Sequence, residues 1–340
     1  MPLSDRRRAR PRGWPLLAAP FALGGCWILA GAEPGELVDA APALTWPDSA
    51  TRYCTDGYMA MACDSALGQD GDYLIDPSVF VDDDAGWKDT TTGLSWGKSY
   101  TQGCDWETAL AACDDLGDGW RLPSRLELLS VVDLGREAGA WPEVLDSDGG
   151  VFWSSTSSPA DANLAFHVYA DNGAVGFLEK STEGSARCVR GAPLAVDGPR
   201  FEFVGSSVRD QLTGLVWEGS LTEEDQFETW IEALVHCNDL VITGTGPDSG
   251  WDDWRAPSVK EFVSLLDDQS PEETMNSAFF HAPNVQFWTS TPVVRESIYV
   301  WHVDARPDGG TYSHCAFASA DPACLEAYWW PVRCVRGPDR

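Results

Sequence analysis

The side chains of this sequence that could do chemistry come largely in matched pairs. Arg121 with Arg255, and Arg190 with Arg336, could hold a carboxylate or a sulfate, because a guanidinium offers a planar fork of donors. The same fork serves as well to tie backbone carbonyls or an aspartate together inside a fold, and that is the expectation. His167 and His302 also match, on segments that read as strands. A packed, hydrogen-bonded imidazole is expected of both, since no H-E-x-x-H spacing occurs. Aspartates cluster at Asp82-Asp83-Asp84, Asp146-Ser147-Asp148 and Asp252-Asp253. Calcium is the cation such oxygens would take, yet no twelve-residue loop closed by glutamate is present, so no metal ligands are assigned. Ser154 and Ser155 stand in W-S-S-T rather than G-x-S-x-G, and no glycine-rich phosphate loop precedes a helix; no catalytic residue is expected. The chain carries 17 tryptophans, enough for both a core and a stacking platform. Trp96, Trp106, Trp153, Trp217, Trp230 and Trp288 recur in matched positions and are expected in the core. Trp141, Trp251, Trp329 and Trp330 lie unmatched in loop-like contexts, which makes them the candidates for stacking on a ligand.

The elements that must position these residues are themselves duplicated. Trp120-Arg121-Leu122-Pro123-Ser124-Arg125-Leu126-Glu127 matches Trp254-Arg255-Ala256-Pro257-Ser258-Val259-Lys260-Glu261. Each copy reads as an extended segment halted by proline, then a helix opened by a capping box, Ser124 with Glu127 and Ser258 with Glu261. Upstream, Asp89-x-x-Thr92-Gly93-Leu94-x-Trp96 matches Asp210-x-x-Thr213-Gly214-Leu215-x-Trp217. An amphipathic helix follows in each, with Trp106, Ala109, Leu110, Cys113 and Leu116 matching Trp230, Ala233, Leu234, Cys237 and Leu240. Downstream, Phe152-Trp153 matches Phe287-Trp288, and Arg187-Cys188-Val189-Arg190-Gly191 matches Arg333-Cys334-Val335-Arg336-Gly337. Asp171-Asn172-Gly173 between alternating segments signals a hairpin. The chain therefore reads as two tandem domains, 52–191 and 200–337, joined by a linker over 192–199.

Before them, Arg6, Arg7, Arg8, Arg10 and Arg12 precede an apolar run too short to span a bilayer, the pattern of a signal peptide over 1–25. Leu23-Gly24-Gly25-Cys26 looks like a lipobox, which would lipidate Cys26; Ala30-Gly31-Ala32 is the competing site for ordinary secretion. The expected location is the bacterial outer membrane or cell surface, or the medium, with residues 26–51 as a Pro/Ala-rich tether. Export makes disulfides the default among the ten cysteines. The only cysteines present in both copies predict the pairs Cys113–Cys188 and Cys237–Cys334. Cys54–Cys63 and Cys315–Cys324 are the natural local pairs. Cys104 is left over, to be free, intermolecular, exchanged into the Cys54 pair, or catalytic.

This order of motifs, D-x-x-T-G-L-x-W, W-x-x-A-x-x-x-C, W-R-x-P-S-x-x-E, W-[ST]-S-T and R-C-V-R, resembles the Lcl C-terminal domain family (Legionella collagen-like), twice over. The resemblance implies an α+β, C-type lectin-like fold: two helices, short antiparallel strands and long loops in each domain, and a disulfide from first helix to last strand. It also implies extracellular adhesion, with glycans as the ligand class, sulfated polysaccharides among them. The formal charge of −30 argues against a sulfated polyanion and against nucleic acid. The E-P-N and W-N-D signatures of calcium-dependent lectins are missing; Ala282-Pro283-Asn284 lacks the carboxylate. The expectation is a surface protein that binds extracellular or cell-surface carbohydrate, without a cofactor. The alternatives are a protein-protein or envelope-structural role, and, further off, a formylglycine-generating type of enzyme, which would need Cys104 and a second reactive cysteine.

Overall fold

Each copy of the D-x-x-T-G motif folds as a turn closed on its own aspartate. The buried carboxylate of Asp89 accepts from the Thr91 amide at 2.9 Å and the Thr92 hydroxyl at 2.8 Å, while Gly93 takes φ 73°. Asp210 does the same with the Leu212 amide at 2.9 Å and the Thr213 hydroxyl at 3.0 Å, with Gly214 at φ 74°. A positive φ is why glycine follows the threonine. The turn joins two strands of a small antiparallel sheet, Gly86–Asp89 with Ser95–Gly97 in the first repeat and Ser207–Asp210 with Val216–Glu218 in the second. In both, the closing strand of R-C-V-R, Val189–Arg190 or Val335–Arg336, adds to the far edge of that sheet.

The computed structural model describes residues 46–337 apart from 57–58, 64–66, 74–77, 220, 222–225, 228, 267–274, 277, 281–285, 295, 297, 306–310 and 316–329. The architecture is α+β, with short helices and several small, mostly antiparallel sheets. The first repeat carries α1 (Trp106–Asp114) and α2 (Arg125–Ser130), the second α3 (Trp230–Asp239) and α4 (Val259–Leu265). A second sheet in each repeat holds the strands Val151–Ser157, Leu164–Tyr169 and Val175–Glu179, or Gln286–Pro292, Tyr299–Asp304 and Thr311–Cys315. Both versions carry an irregularity after the tryptophan, between Trp153 and Ser157 and between Trp288 and Pro292. The hairpin forms where Asp171-Asn172-Gly173 predicts it, with Gly173 at φ 77°. Disulfides Cys113–Cys188 and Cys237–Cys334 tie the first helix of each repeat to its closing strand, and Cys54–Cys63 closes a local loop. Cys26 and Cys324 lie outside the described residues, as does the Cys315 side chain, so the Cys315–Cys324 pair and the lipidation site do too.

The two repeats are not separate beads. Residues 41–340 form one compact unit, and a single apolar cluster draws Trp96, Leu128 and Phe152 from the first repeat and Trp217, Phe262 and Phe287 from the second. At its centre α2 packs against α4. Arg125, at the start of α2, donates to the carbonyls of Val263 at 2.9 Å and Leu266 at 3.2 Å, where α4 ends. Lys260, at the start of α4, donates to the carbonyls of Ser130 at 3.0 Å and Val132 at 2.9 Å, where α2 ends. Each helix thus supplies the cation that satisfies the orphan carbonyls of the other, an antiparallel exchange about a local pseudo-twofold.

The tether expected over 26–51 does not extend to its far end. Trp46, Asp48, Ser49 and Thr51 are buried, Trp46 in the shared core. This segment touches both repeats: the Ser49 carbonyl accepts from the Leu134 amide at 2.8 Å, the Asp48 carbonyl from Lys260 Nζ at 2.8 Å, and Asp70 Oδ2 from Thr291 Oγ1 at 2.6 Å. An apolar ring at Trp46 and buried polar groups at Asp48 and Ser49 are what anchors it; the proline and alanine content conceals them.

Candidate functional site

In W-R-x-P-S-x-x-E one glutamate serves two partners. Glu127 Oε2 accepts from the Ser124 amide at 2.8 Å, completing the capping box, and its carboxylate also takes a bidentate pair from Arg121 at 2.6 and 2.6 Å. Glu261 repeats this with the Ser258 amide at 2.8 Å and with Arg255 at 2.7 and 2.5 Å. The adjoining strand is fixed identically: the Ser155 amide donates to the Pro123 carbonyl and the Ser290 amide to the Pro257 carbonyl, both at 2.7 Å. Thr156 Oγ1 accepts from the Arg125 amide and Thr291 Oγ1 from the Val259 amide, both at 3.0 Å. The duplicated motif therefore builds two corners with the same frame of arginine, carboxylate and hydroxyls.

What covers the corners differs. In the second repeat the N-terminal segment seals the corner: the Tyr73 ring lies 5.1 Å from the Arg255 guanidinium, and Arg255 is 5% exposed. Burial pushes the Tyr73 phenol up to about 12 and the Asp70 carboxyl up to about 7, the latter helped by the neighbouring Asp48 carboxylate. In the first repeat the corner opens on a groove of about 710 Å³. Its walls are Glu107, Leu110, Ala111 and Asp114 of α1, the motif residues Arg121, Leu122, Ser124 and Glu127, Ser155 of the strand, and Pro193-Leu194 of the linker. The Arg121 side chain keeps 29% of its surface exposed here, and the Leu194 amide reaches Glu127 Oε1 at 3.3 Å. The groove offers a guanidinium, three carboxylates, two hydroxyls and leucine methyls: equipment for holding a ligand.

The sequence model of the Lcl C-terminal domain matches residues 86–190 and again 206–336. The chain belongs to the Lcl C-terminal domain family. No curated protein matches it. In this family member the motif residues that recur in both copies have structural duties: the aspartate closes the turn, the serine and glutamate cap the helix, and the arginine completes the corner.

Two of the four stacking candidates, Trp141 and Trp330, are not placed to stack. Trp141 is 1% exposed, its ring 4.6 Å from Phe152 with the Arg187 guanidinium 5.2 Å from it. Trp330 is buried between Trp288 and His302, each ring at 4.6 Å. Both were expected in exposed loops; each lies beside a core aromatic that its local sequence does not reveal. Trp251 is half-buried and one face is taken by the Arg336 guanidinium at 3.9 Å. Trp329 lies outside the described residues. Trp96, Trp153, Trp217, Trp230 and Trp288 are buried, as expected, whereas Trp106 is half-buried under the Lys180 ammonium at 4.1 Å.

The aspartate clusters face protein cations and donors. Asp82 pairs with Lys98 at 2.7 Å, Asp83 with Arg190 at 3.3 Å and with the Ser95 hydroxyl, and Asp253 with Arg336 at 2.6 Å. Asp148 accepts from Tyr100 at 3.2 Å and Gln102 at 3.1 Å. Glu218, His236 and Cys334 approach within 4.8 Å of one another, but the Cys334 sulfur is bonded to Cys237 and is no thiolate ligand. His167 is packed between Trp153 and Tyr169, and neither ring nitrogen has a hydrogen-bond partner among the described residues. Burial alone pulls its pKa down to about 4. Cys104 is free and buried, with its thiol pushed up by burial. The residues sequence reasoning passes over are Glu107 and Asp114. Their signal is a mismatch: the second repeat has Ile231 and Asn238 at the same positions of an otherwise matched helix.

Proposed function

We propose that this protein is an exported recognition protein, lipid-anchored through Cys26, that binds an extracellular ligand in the open corner of its first repeat without transforming it. The observation behind this reading is the contrast between the corners: identical frames, one sealed by the chain's own N-terminal segment and the other left as a groove of about 710 Å³. A frame that needs covering in one copy and stays open in the other is placed for a ligand. The C-type lectin-like assignment belongs to the same proposal, supported by the paired helices and by the disulfide from first helix to closing strand in each repeat. Against catalysis stands the state of Cys104: a reactive cysteine is an accessible thiolate, and this thiol is buried with its pKa raised.

For the ligand, the family resemblance favours extracellular carbohydrate, and the hydroxyl and carboxylate lining suits sugar hydroxyls. A protein partner is favoured by the burial of Trp141 and Trp330, which removes two of the aromatic platforms a sugar ring would use. A glycan and polysaccharide array with the full chain, in calcium and in chelator, separates the readings when run beside Ala111→Trp, which fills the groove from an exposed helix position. Selective binding lost in Ala111→Trp places a carbohydrate in the groove. Selective binding untouched by that change rejects the groove as the site. Silence from a folded sample rejects the carbohydrate reading.

A further inference from the structure

The second repeat records what this kind of corner accepts. Its occupant, Asp70-Gly71-Asp72-Tyr73, lays an aromatic ring 5.1 Å from the guanidinium and accepts the Thr291 hydroxyl at 2.6 Å. Both groups have counterparts in the first repeat, Arg121 in the wall of the groove and Thr156 next to the lining residue Ser155. Arg121 is held by Glu127 as Arg255 is by Glu261, and Thr156 is held by the α2 amide as Thr291 is by the α4 amide. An aromatic ring against a guanidinium is favourable by cation–π attraction, most of all where water is excluded.

The charges around the two corners are not alike. The helix starts themselves are balanced: Lys260, buried on the Asp48, Ser130 and Val132 carbonyls, has Leu126 as its counterpart, while Arg125 stands where the second repeat has Val259. Ile231 and Asn238 are replaced by Glu107 and Asp114, both exposed and seven residues apart, so they share one face of α1 and both line the groove. A copy of the acidic segment would meet two added carboxylates with no added cation to offset them. The complementary occupant keeps the ring and reverses the charge.

Resting on the reading of the open corner as the ligand site, we propose that it docks an extended segment of a partner protein in which a tyrosine is flanked by lysine or arginine. The ring lies over Arg121, the neighbouring cations face Glu107 and Asp114, and a backbone carbonyl takes the Thr156 hydroxyl that Asp70 takes from Thr291. The formal charge of −30 on the whole chain draws such a segment in from a distance.

The probes are fluorescein-labelled peptides containing Lys-Gly-Lys-Tyr, Lys-Gly-Lys-Ala or Asp-Gly-Asp-Tyr, titrated into the full chain by fluorescence polarisation. The Lys-Gly-Lys-Tyr peptide should bind about tenfold more tightly than either control and weaken as salt is raised. Ala111→Trp should abolish this binding. The double variant Glu107→Lys with Asp114→Lys should reverse the charge preference towards Asp-Gly-Asp-Tyr. No binding of any peptide, equal binding of the peptide lacking the ring, or indifference to Ala111→Trp overturns the proposal, as does an unchanged charge preference in the double variant. If a polysaccharide binds and Ala111→Trp abolishes that while no peptide binds, the peptide proposal falls and the site reading stands. If Ala111→Trp alters no ligand at all, both fall.

Discussion

Asp70 is a carboxyl that the fold would rather keep protonated. Its pKa rises from 3.8 to about 7, first through desolvation and then through Asp48. Between those values the folded chain holds a proton that the unfolded chain releases, so the stability Asp70 contributes is full below about 3.8 and lost as pH rises through about 7. Asp70→Asn, which still offers an oxygen to Thr291, should therefore gain on the native chain as pH rises from about 4 to about 8, read as a widening difference in Tm. A constant difference would contradict the shift. His167 slopes the other way: its pKa falls from 6.5 to about 4, so its share of stability is present above 6.5 and lost as pH falls towards 4. Sequence placed His167 on a packed strand correctly but expected hydrogen bonds that its nitrogens do not make among the described residues. The type of a residue and its period along the chain are local. The neighbours that desolvate it are not.

At the scale of elements, the two capping boxes were legible because the serine, the glutamate and the amides they join lie within three residues of one another. The helix pair and the hairpin were legible for the same reason, whereas the D-x-x-T-G motifs were visible as a match but not as turns. What surrounds each box decides how much it matters. Glu261→Gln should cost about 3–5 kcal/mol in a denaturant titration, because Arg255 stays buried without its counter-ion. Glu127→Gln should cost clearly less, since Arg121 can turn to water. Equal losses would mean that the corners are equivalent and that the N-terminal cover adds nothing. Ser124→Ala and Ser258→Ala should each cost about 1 kcal/mol, the ordinary worth of a cap. Trp141 and Trp330 were misplaced at this scale: short irregular segments around a tryptophan look like loops whether or not a core lies beneath them.

For the whole molecule, the duplication, the three disulfides of the described residues and the family were all legible, being written as matched residue types in matched order. The joining of the repeats was not. Arg125 and Lys260 bind across the pseudo-twofold, yet they face Val259 and Leu126 in the alignment, so no matched pair advertises them. The shared core predicts one cooperative transition for the full chain by calorimetry, and no cooperative transition for residues 200–337 alone, where the face of α4 that meets α2 and the N-terminal segment would be uncovered. Two independent transitions would contradict the shared core. Replacing Cys113 and Cys188 together should lower stability by about 2–5 kcal/mol. Asp48 meets Lys260 across 212 positions and Asp70 meets Thr291 across 221, and a ribosome delivers the chain from its N-terminus. The contacts that these first residues make with the second repeat must therefore wait for most of the chain, and throughout that interval the corner of the first repeat is already built while that of the second still lacks its cover.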